Sequence, residues 1–345
     1  TAAYENFRYR AQPIGVCYGM QGNDLPPPRE VVGLYKSRNI GRMRIYDPNH
    51  AALDALRGSN IQLTVGVPND QLRRMASDAS FANSWVDDHV RPFWPAVRFS
   101  YIAVGNEVIP GPEAQFVLPA MQNVANALAR AGLAQQIKVS TAIHSAVLGE
   151  SYPPSRGAFS PQAAQHLNPI LHFLNGRQSP LLANVYPYFS YAGNPRDISL
   201  QYALFTAPSP VVFDGQFQYQ NLFDALVDSL YAAVEKVVGS GLEIVISESG
   251  WPSAGGFAAT VGNALTYNSN LIRHVRGGTP RRRGRAIETY IFAMFNENQK
   301  QPPGIERNFG LFYSNKQPVY NINFTPAIQD DGLGFFSIIS DVVSF

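Results

Sequence analysis

Eight short runs rich in apolar and β-branched residues recur along this chain, and each closes on polar or aromatic residues. They begin at Ile14 (IGVCYG), Arg42 (RMRIYD), Ile61 (IQLTVGV), Tyr101 (YIAVGNE), Ile137 (IKVSTAI), Leu181 (LLANVYPY), Leu242 (LEIVISE) and Thr289 (TYIFAMFNE). The stretches between them carry helical spacing. PPPREVVGLYKSRN opens with prolines suited to a first turn and puts Val31, Leu34 and Tyr35 on one face. LPAMQNVANALARAG repeats Leu118, Met121, Val124, Ala125 and Leu128 before Gly132, and Leu222, Leu226, Leu230 and Val234 repeat before Gly239 and Gly241. Strands alternating with helices predict parallel βαβ units, and a count of eight predicts an α/β fold closed into a (β/α)8 TIM barrel. An open doubly wound sheet would carry a glycine-rich phosphate loop after an early strand. Neither G-x-G-x-x-G nor G-x-x-x-x-G-K-[ST] occurs.

The stretch from about Pro187 to Tyr219 is long for a strand-to-helix connection, so it is expected to form an insertion after the sixth strand. No linker divides the chain. The expectation is one catalytic domain over 1–345, with the barrel at about 14–324, an N-terminal extension at 1–13 and an apolar tail at 325–345.

A net charge of +2 is too small to suggest nucleic acid as a partner. The basic run TPRRRGR is expected to be a solvated loop. Cys17 is the sole cysteine and is expected to be a buried, inert thiol. No stretch is long enough to span a membrane, and no secretory signal opens the chain. The six histidines show neither H-x-H nor H-E-x-x-H spacing, so no metal and no cofactor is expected. Asn323-Phe324-Thr325 makes Asn323 a glycosylation candidate.

In a (β/α)8 barrel the active site is built at the C-terminal ends of the strands. Those ends supply Tyr18, Tyr46, Asp47, Asn106, Glu107, His144, Tyr186, Tyr188, Glu248, Trp251, Asn296 and Glu297. Carboxylates, amides and aromatics dominate, which suits a polyhydroxylated substrate. If strands 4 and 7 stay extended, Glu107 shares a face with Ala103 and Gly105, and Glu248 shares one with Ile244 and Ile246. Strands 4 and 7 lie across the barrel from each other, so the two glutamates are expected to face one another. Two facing carboxyl groups are what glycoside hydrolysis requires. Tyr46, Tyr186, Phe189 and Trp251, with Tyr18 and Tyr188 behind them, are candidates to stack on sugar rings, whereas Phe292 and Phe295 read as core and His144 as an ordinary hydrogen-bonded histidine.

YIAVGNE, NVYPYFSY, VISESGWPS, TYIFAMFNENQK and ERNFGLFYSNKQPVY, with IGVCYG and MRIYDP, resemble the plant β-1,3-glucanases of glycoside hydrolase family 17 from about Ile14 to Phe324. The resemblance implies a retaining enzyme that cuts internal β-1,3-glucosidic bonds of a β-1,3-glucan polysaccharide or oligosaccharide. It implies Glu248 as nucleophile and Glu107 as proton donor, with Asn106, Glu297, Lys300 and Glu306 supporting them. A role in plant defence or wall turnover, a secreted or vacuolar location and a monomeric state are expected with it. Mixed-linkage β-1,3-1,4-glucan hydrolysis or glucosyl transfer would use the same two glutamates, and a glucan-binding protein without catalysis would use the same groove.

Overall fold

The structure, a computed structural model, describes residues 13–325. Eight parallel strands close a barrel in chain order: β1 (Ile14–Cys17), β2 (Arg42–Ile45), β3 (Gln62–Val67), β4 (Arg98–Asn106), β5 (Lys138–His144), β6 (Leu181–Asn184), β7 (Ile244–Ser249) and β8 (Thr289–Ile291). Val16 of β1 pairs with Ile291 of β8 and with Met43 of β2, which completes the ring. Each of the eight apolar runs overlaps one of these strands.

Between the strands, helices form where local chemistry favours them. Pro28–Ser37 starts on a proline, whose fixed φ suits the first turn. Leu222–Val238 is capped by Asn221, whose side chain accepts the Asp224 N–H, worth about 1 kcal/mol. It ends at Gly239, where φ is +74°. The insertion after β6 holds two short helices, Pro187–Gly193 and Leu200–Ala203, and an antiparallel hairpin of Val212–Asp214 with Phe217–Tyr219.

Strand alternation divides the core in two. Met43, Ile45, Leu63, Val65, Ile244 and Ile246 point outward into the layer shared with the helices. Cys17, Ala103, Ala142, Leu182, Val245 and Tyr290 point into the barrel. Cys17 is fully buried, donates weakly to the Ser247 carbonyl, and is pushed up to about 12, chiefly by burial and then by the charge of Glu248. That leaves it an unreactive thiol.

The basic run is solvated at Arg283 and Arg285, as expected, but departs from that state at Arg281 and Arg282. Arg281 and Arg282 both pair with Glu235 on Leu222–Val238, and Arg282 is buried with its guanidinium over the Tyr231 ring. The run therefore clasps a helix, because a carboxylate and an aromatic face wait where the loop returns to the barrel. The Asn323 side chain is exposed. The N-terminal extension and the tail lie outside the described residues, apart from Pro13 and Thr325.

Candidate active site

Neither glutamate arrives at the barrel mouth by simple alternation. Along β7 and β6, Ile246 pairs with Ala183 but Glu248 pairs with Asn184, so β7 carries one extra residue just below the glutamate. Along β4 and β5, Ala103 pairs with Ser140 but Asn106 pairs with Ala142, again one residue too many. Bulges of this kind re-aim side chains. Ile244 and Ile246 face the helices, so they do not form the column beneath Glu248 that unbroken alternation predicts. The bulge returns both Ser247 and Glu248 to the interior. Gly105 likewise turns outward at φ +82°, and Glu107 sits at φ +57°, a left-handed conformation costing a glutamate roughly 1–3 kcal/mol.

Glu248 is 6% exposed and fully engaged. Arg44 Nη1 donates to its Oε1 at 3.0 Å, the Tyr46 hydroxyl donates to Oε1 at 2.5 Å, and the Tyr186 hydroxyl donates to Oε2 at 2.7 Å. Burial holds both phenols well above their ordinary range, so they remain donors. Three donors, one of them a buried cation, thus meet its two oxygens.

Glu107 is differently housed. Its carboxyl opens to solvent in the groove, and its one side-chain hydrogen bond among the described residues comes from Asn184 Nδ2 at 2.9 Å. Its pKa is raised, first because the groove walls strip water from it and then because Glu248 is negative. The pair thus combines a carboxylate held by donors with a carboxyl group that keeps its proton more readily.

Two residues tie them together. Asn184 Nδ2 donates also to Asn106 Oδ1 at 3.0 Å, while Asn184 Oδ1 accepts from Arg44 at 3.1 Å and from Ser247 Oγ at 2.7 Å. Arg44 Nη2 donates to Asn106 Oδ1 at 2.8 Å. Arg44 and Asn184 were not among the residues singled out from sequence. A signal existed: Arg42 and Arg44 alternate with outward Met43 and Ile45, which puts two cations on the inward face of an otherwise apolar strand.

Glu107 and Glu248 share a groove of about 740 Å³ with Asp47, Asn106, His144, Glu297, Lys300 and Glu306. Lys300 Nζ lies 3.4 Å from Glu306, 3.9 Å from Glu297 and 3.9 Å from the centre of the Phe292 ring. Glu297 is buried and its pKa is raised by that burial, against the opposing pull of Lys300. Gly19 lines the groove because nothing larger fits: a Cβ there would stand 1.8 Å from Glu297 Oε1.

Tyr46, Tyr186 and Phe189 line the groove, and Phe189 is 45% exposed to it. Three other aromatic expectations need correction. Trp251 is fully buried, donates its Nε1–H to the Ala258 carbonyl and packs on Tyr188, Tyr191 and Tyr267. Tyr188 is buried with its hydroxyl on the Phe257 carbonyl, and Tyr18 is buried edge-on to Phe295. All three support the walls from behind, because the chain turns outward after the bulge in β7 and carries Trp251 beneath the insertion. Phe292 is buried in the inner core, as expected, and also borders the groove floor, where Lys300 covers its ring. His144 also borders the groove, with its Nδ1 accepting the Ala146 N–H.

The chain matches Glycosyl hydrolases family 17 over residues 14–324. It is 60% identical to a glucan endo-1,3-beta-glucosidase of Vitis vinifera, over 91% of this chain and 92% of the relative. It is 54% identical to a basic vacuolar isoform of that enzyme from Nicotiana plumbaginifolia, over 96% of this chain and 92% of the relative. Among solved structures, a β-1,3-glucanase and allergen of Cryptomeria japonica pollen superposes with a TM-score of 0.88 at 51% identity, covering 91% of this chain and 99% of that one.

Proposed function

This chain belongs to glycosyl hydrolase family 17, and from that premise we propose that it hydrolyses internal β-1,3-glucosidic bonds with retention of configuration. Glu248 acts as the nucleophile and Glu107 as the acid and base. The observation that carries this reading is the asymmetry of the pair: three donors hold Glu248, while Glu107 has one amide partner and a raised pKa. Relatives named glucan endo-1,3-beta-glucosidase supply the substrate class.

In the first step Glu107 gives its proton to the departing glycosidic oxygen as Glu248 attacks the anomeric carbon from the opposite face. Oε2 is the attacking atom, because it is held by one hydroxyl while Oε1 carries both Arg44 and Tyr46. As negative charge leaves Glu248, the field that raised the Glu107 pKa fades. Glu107 then becomes a better acid at the moment it must release its proton, and afterwards serves as the base that activates water. Phe189 offers an apolar face to a glucosyl ring, and the Lys300 cluster, seated on the Phe292 ring, fixes the wall beside the nucleophile.

We also infer a single catalytic domain over 14–324 that works as a monomer in the vacuole or outside the cell. The closed barrel supports the one domain, and the vacuolar relatives support the location. No helix among the described residues is long and apolar enough to cross a membrane.

The test is hydrolysis of a linear β-1,3-glucan followed by NMR, alongside a mixed-linkage β-1,3-1,4-glucan. The reading expects a ladder of oligosaccharides from the linear glucan, with β-anomers appearing first. Release of α-anomers first, or activity confined to the mixed-linkage polymer, would refute it.

A further inference from the structure

Where β4 leaves the barrel, the backbone passes twice through the left-handed region, at Gly105 and again at Glu107. Glycine adopts such angles readily but glutamate does not, so the position of Glu107 must be imposed by its surroundings. One flank is held by β5: the Glu107 N–H donates to the Ala142 carbonyl at 2.8 Å, and Thr141 Oγ1 donates to the Gly105 carbonyl at 3.3 Å.

The other flank is held by one side chain. Asn69 stands just beyond the end of β3, in a smaller hollow that shares Tyr46, Asp47 and Asn106 with the catalytic groove but does not hold either glutamate. Its Nδ2 donates to the Asn106 carbonyl at 2.9 Å, and its Oδ1 accepts the Asn106 N–H at 2.8 Å. A single amide thus occupies both backbone polar groups of the residue between the two left-handed positions, as a neighbouring strand would. The same turn presents buried Leu72 to Gly105, where a Cβ would meet its Cδ1 at 3.1 Å. Asn69 and Leu72 together fix the peptide planes that decide where the Glu107 side chain starts.

We propose that Asn69 is a positioning residue for proton transfer, aiming Glu107 by clamping the Asn106 backbone. The proposal rests on the reading of Glu107 as the acid and base. Without the clamp, the strand end relaxes away from the left-handed geometry and the Glu107 carboxyl leaves the line between Asn184 and the glycosidic oxygen. Leaving groups that need a proton should suffer, while those that depart unaided should not.

The experiment compares kcat/KM of wild type, Asn69→Ala and Asn69→Asp on a β-1,3-gluco-oligosaccharide and on a 2,4-dinitrophenyl β-glycoside of the same sugar. Asn69→Ala should lose about 10- to 100-fold on the oligosaccharide, the range expected when a general acid is misplaced, and less than about threefold on the dinitrophenyl glycoside. Asn69→Asp keeps the acceptor for the Asn106 N–H but not the donor to its carbonyl, and should fall between. The alkaline limb of the oligosaccharide pH profile should move to lower pH in Asn69→Ala as water reaches Glu107. Equal losses on both substrates would reduce Asn69 to a structural part and overturn the proposal, and so would no loss on either. A wild type that releases α-anomers first would instead overturn the reading of Glu107, whatever the Asn69 variants do.

Discussion

The two ends of the barrel interior carry nearly the same set of side chains. At the mouth, Arg44 from β2 pairs with Glu248 at 3.0 Å, and the hydroxyls of Tyr46 and Tyr186 complete the carboxylate's hydrogen bonds. At the floor, Arg42 from the same strand pairs with Glu288 at 3.2 Å, and the hydroxyls of Tyr101 and Tyr290 each donate to it at 3.0 Å. A hollow of about 710 Å³ adjoins the floor as well. An arginine, a glutamate and two tyrosines around a cavity therefore do not make an active site. What the mouth adds is a second carboxyl group free of a cation. The floor's other glutamate, Glu243, is exposed and paired with Arg285 at 3.1 Å. Glu107 has an amide for a partner and Glu248 for a negative neighbour. The mouth therefore sets a carboxyl group that keeps its proton more readily beside a glutamate ringed by donors, and the floor has no such pair among the described residues.

The sharpest way to break this comparison is to remove the carboxylate at each end. Glu248→Ala should cost on the order of 10⁴-fold or more in kcat on β-1,3-glucan, as loss of a nucleophile does. Glu107→Ala should cost about 10²- to 10⁴-fold on the same polymer and far less on a dinitrophenyl glycoside in kcat/KM. Glu288→Gln should leave kcat within about twofold of wild type and lower unfolding stability by about 2 kcal/mol in a urea titration, since it strands Arg42 in a largely buried site. A large loss of activity in Glu288→Gln would mean that the floor takes part in the chemistry.

The smallest expected effect concerns pH. Burial and the charge of Glu248 both raise the Glu107 pKa, so Glu107 keeps its proton above the ordinary carboxylate range. The kcat/KM profile should fall on its alkaline side as Glu107 deprotonates. In Glu248→Gln the negative neighbour is gone, and the Glu107 carboxyl, followed by carbon NMR, should titrate at lower pH while staying above an exposed glutamate. An unchanged titration would show that Glu107 does not sense the charge of Glu248.

Much of this arrangement was legible in the sequence. The apolar runs marked all eight strands, and the ends of the fourth and seventh marked Glu107 and Glu248. The path by which those glutamates reach the mouth was not legible. Alternation put Ile246 and Gly105 on the wrong faces, because a bulge shifts the phase by one residue and leaves no mark in composition. Trp251 looked like a groove wall because it follows a glutamate, yet the chain had already turned outward. Arg44 was hidden in a strand motif, and Asn184 stood at the end of the short run LLAN. Their roles depend on contacts with residues 204 and 77 positions away. Such long-range pairing is set by barrel closure, and local pattern does not report it.

Azide rescue separates the role of Glu248 from that of Glu107. With a dinitrophenyl β-1,3-linked glucoside and sodium azide, Glu107→Ala should accumulate a glycosyl-enzyme that azide opens to the β-glycosyl azide. Glu248→Ala should give the α-glycosyl azide by a single displacement. The opposite assignment of anomers to the two variants would contradict the account.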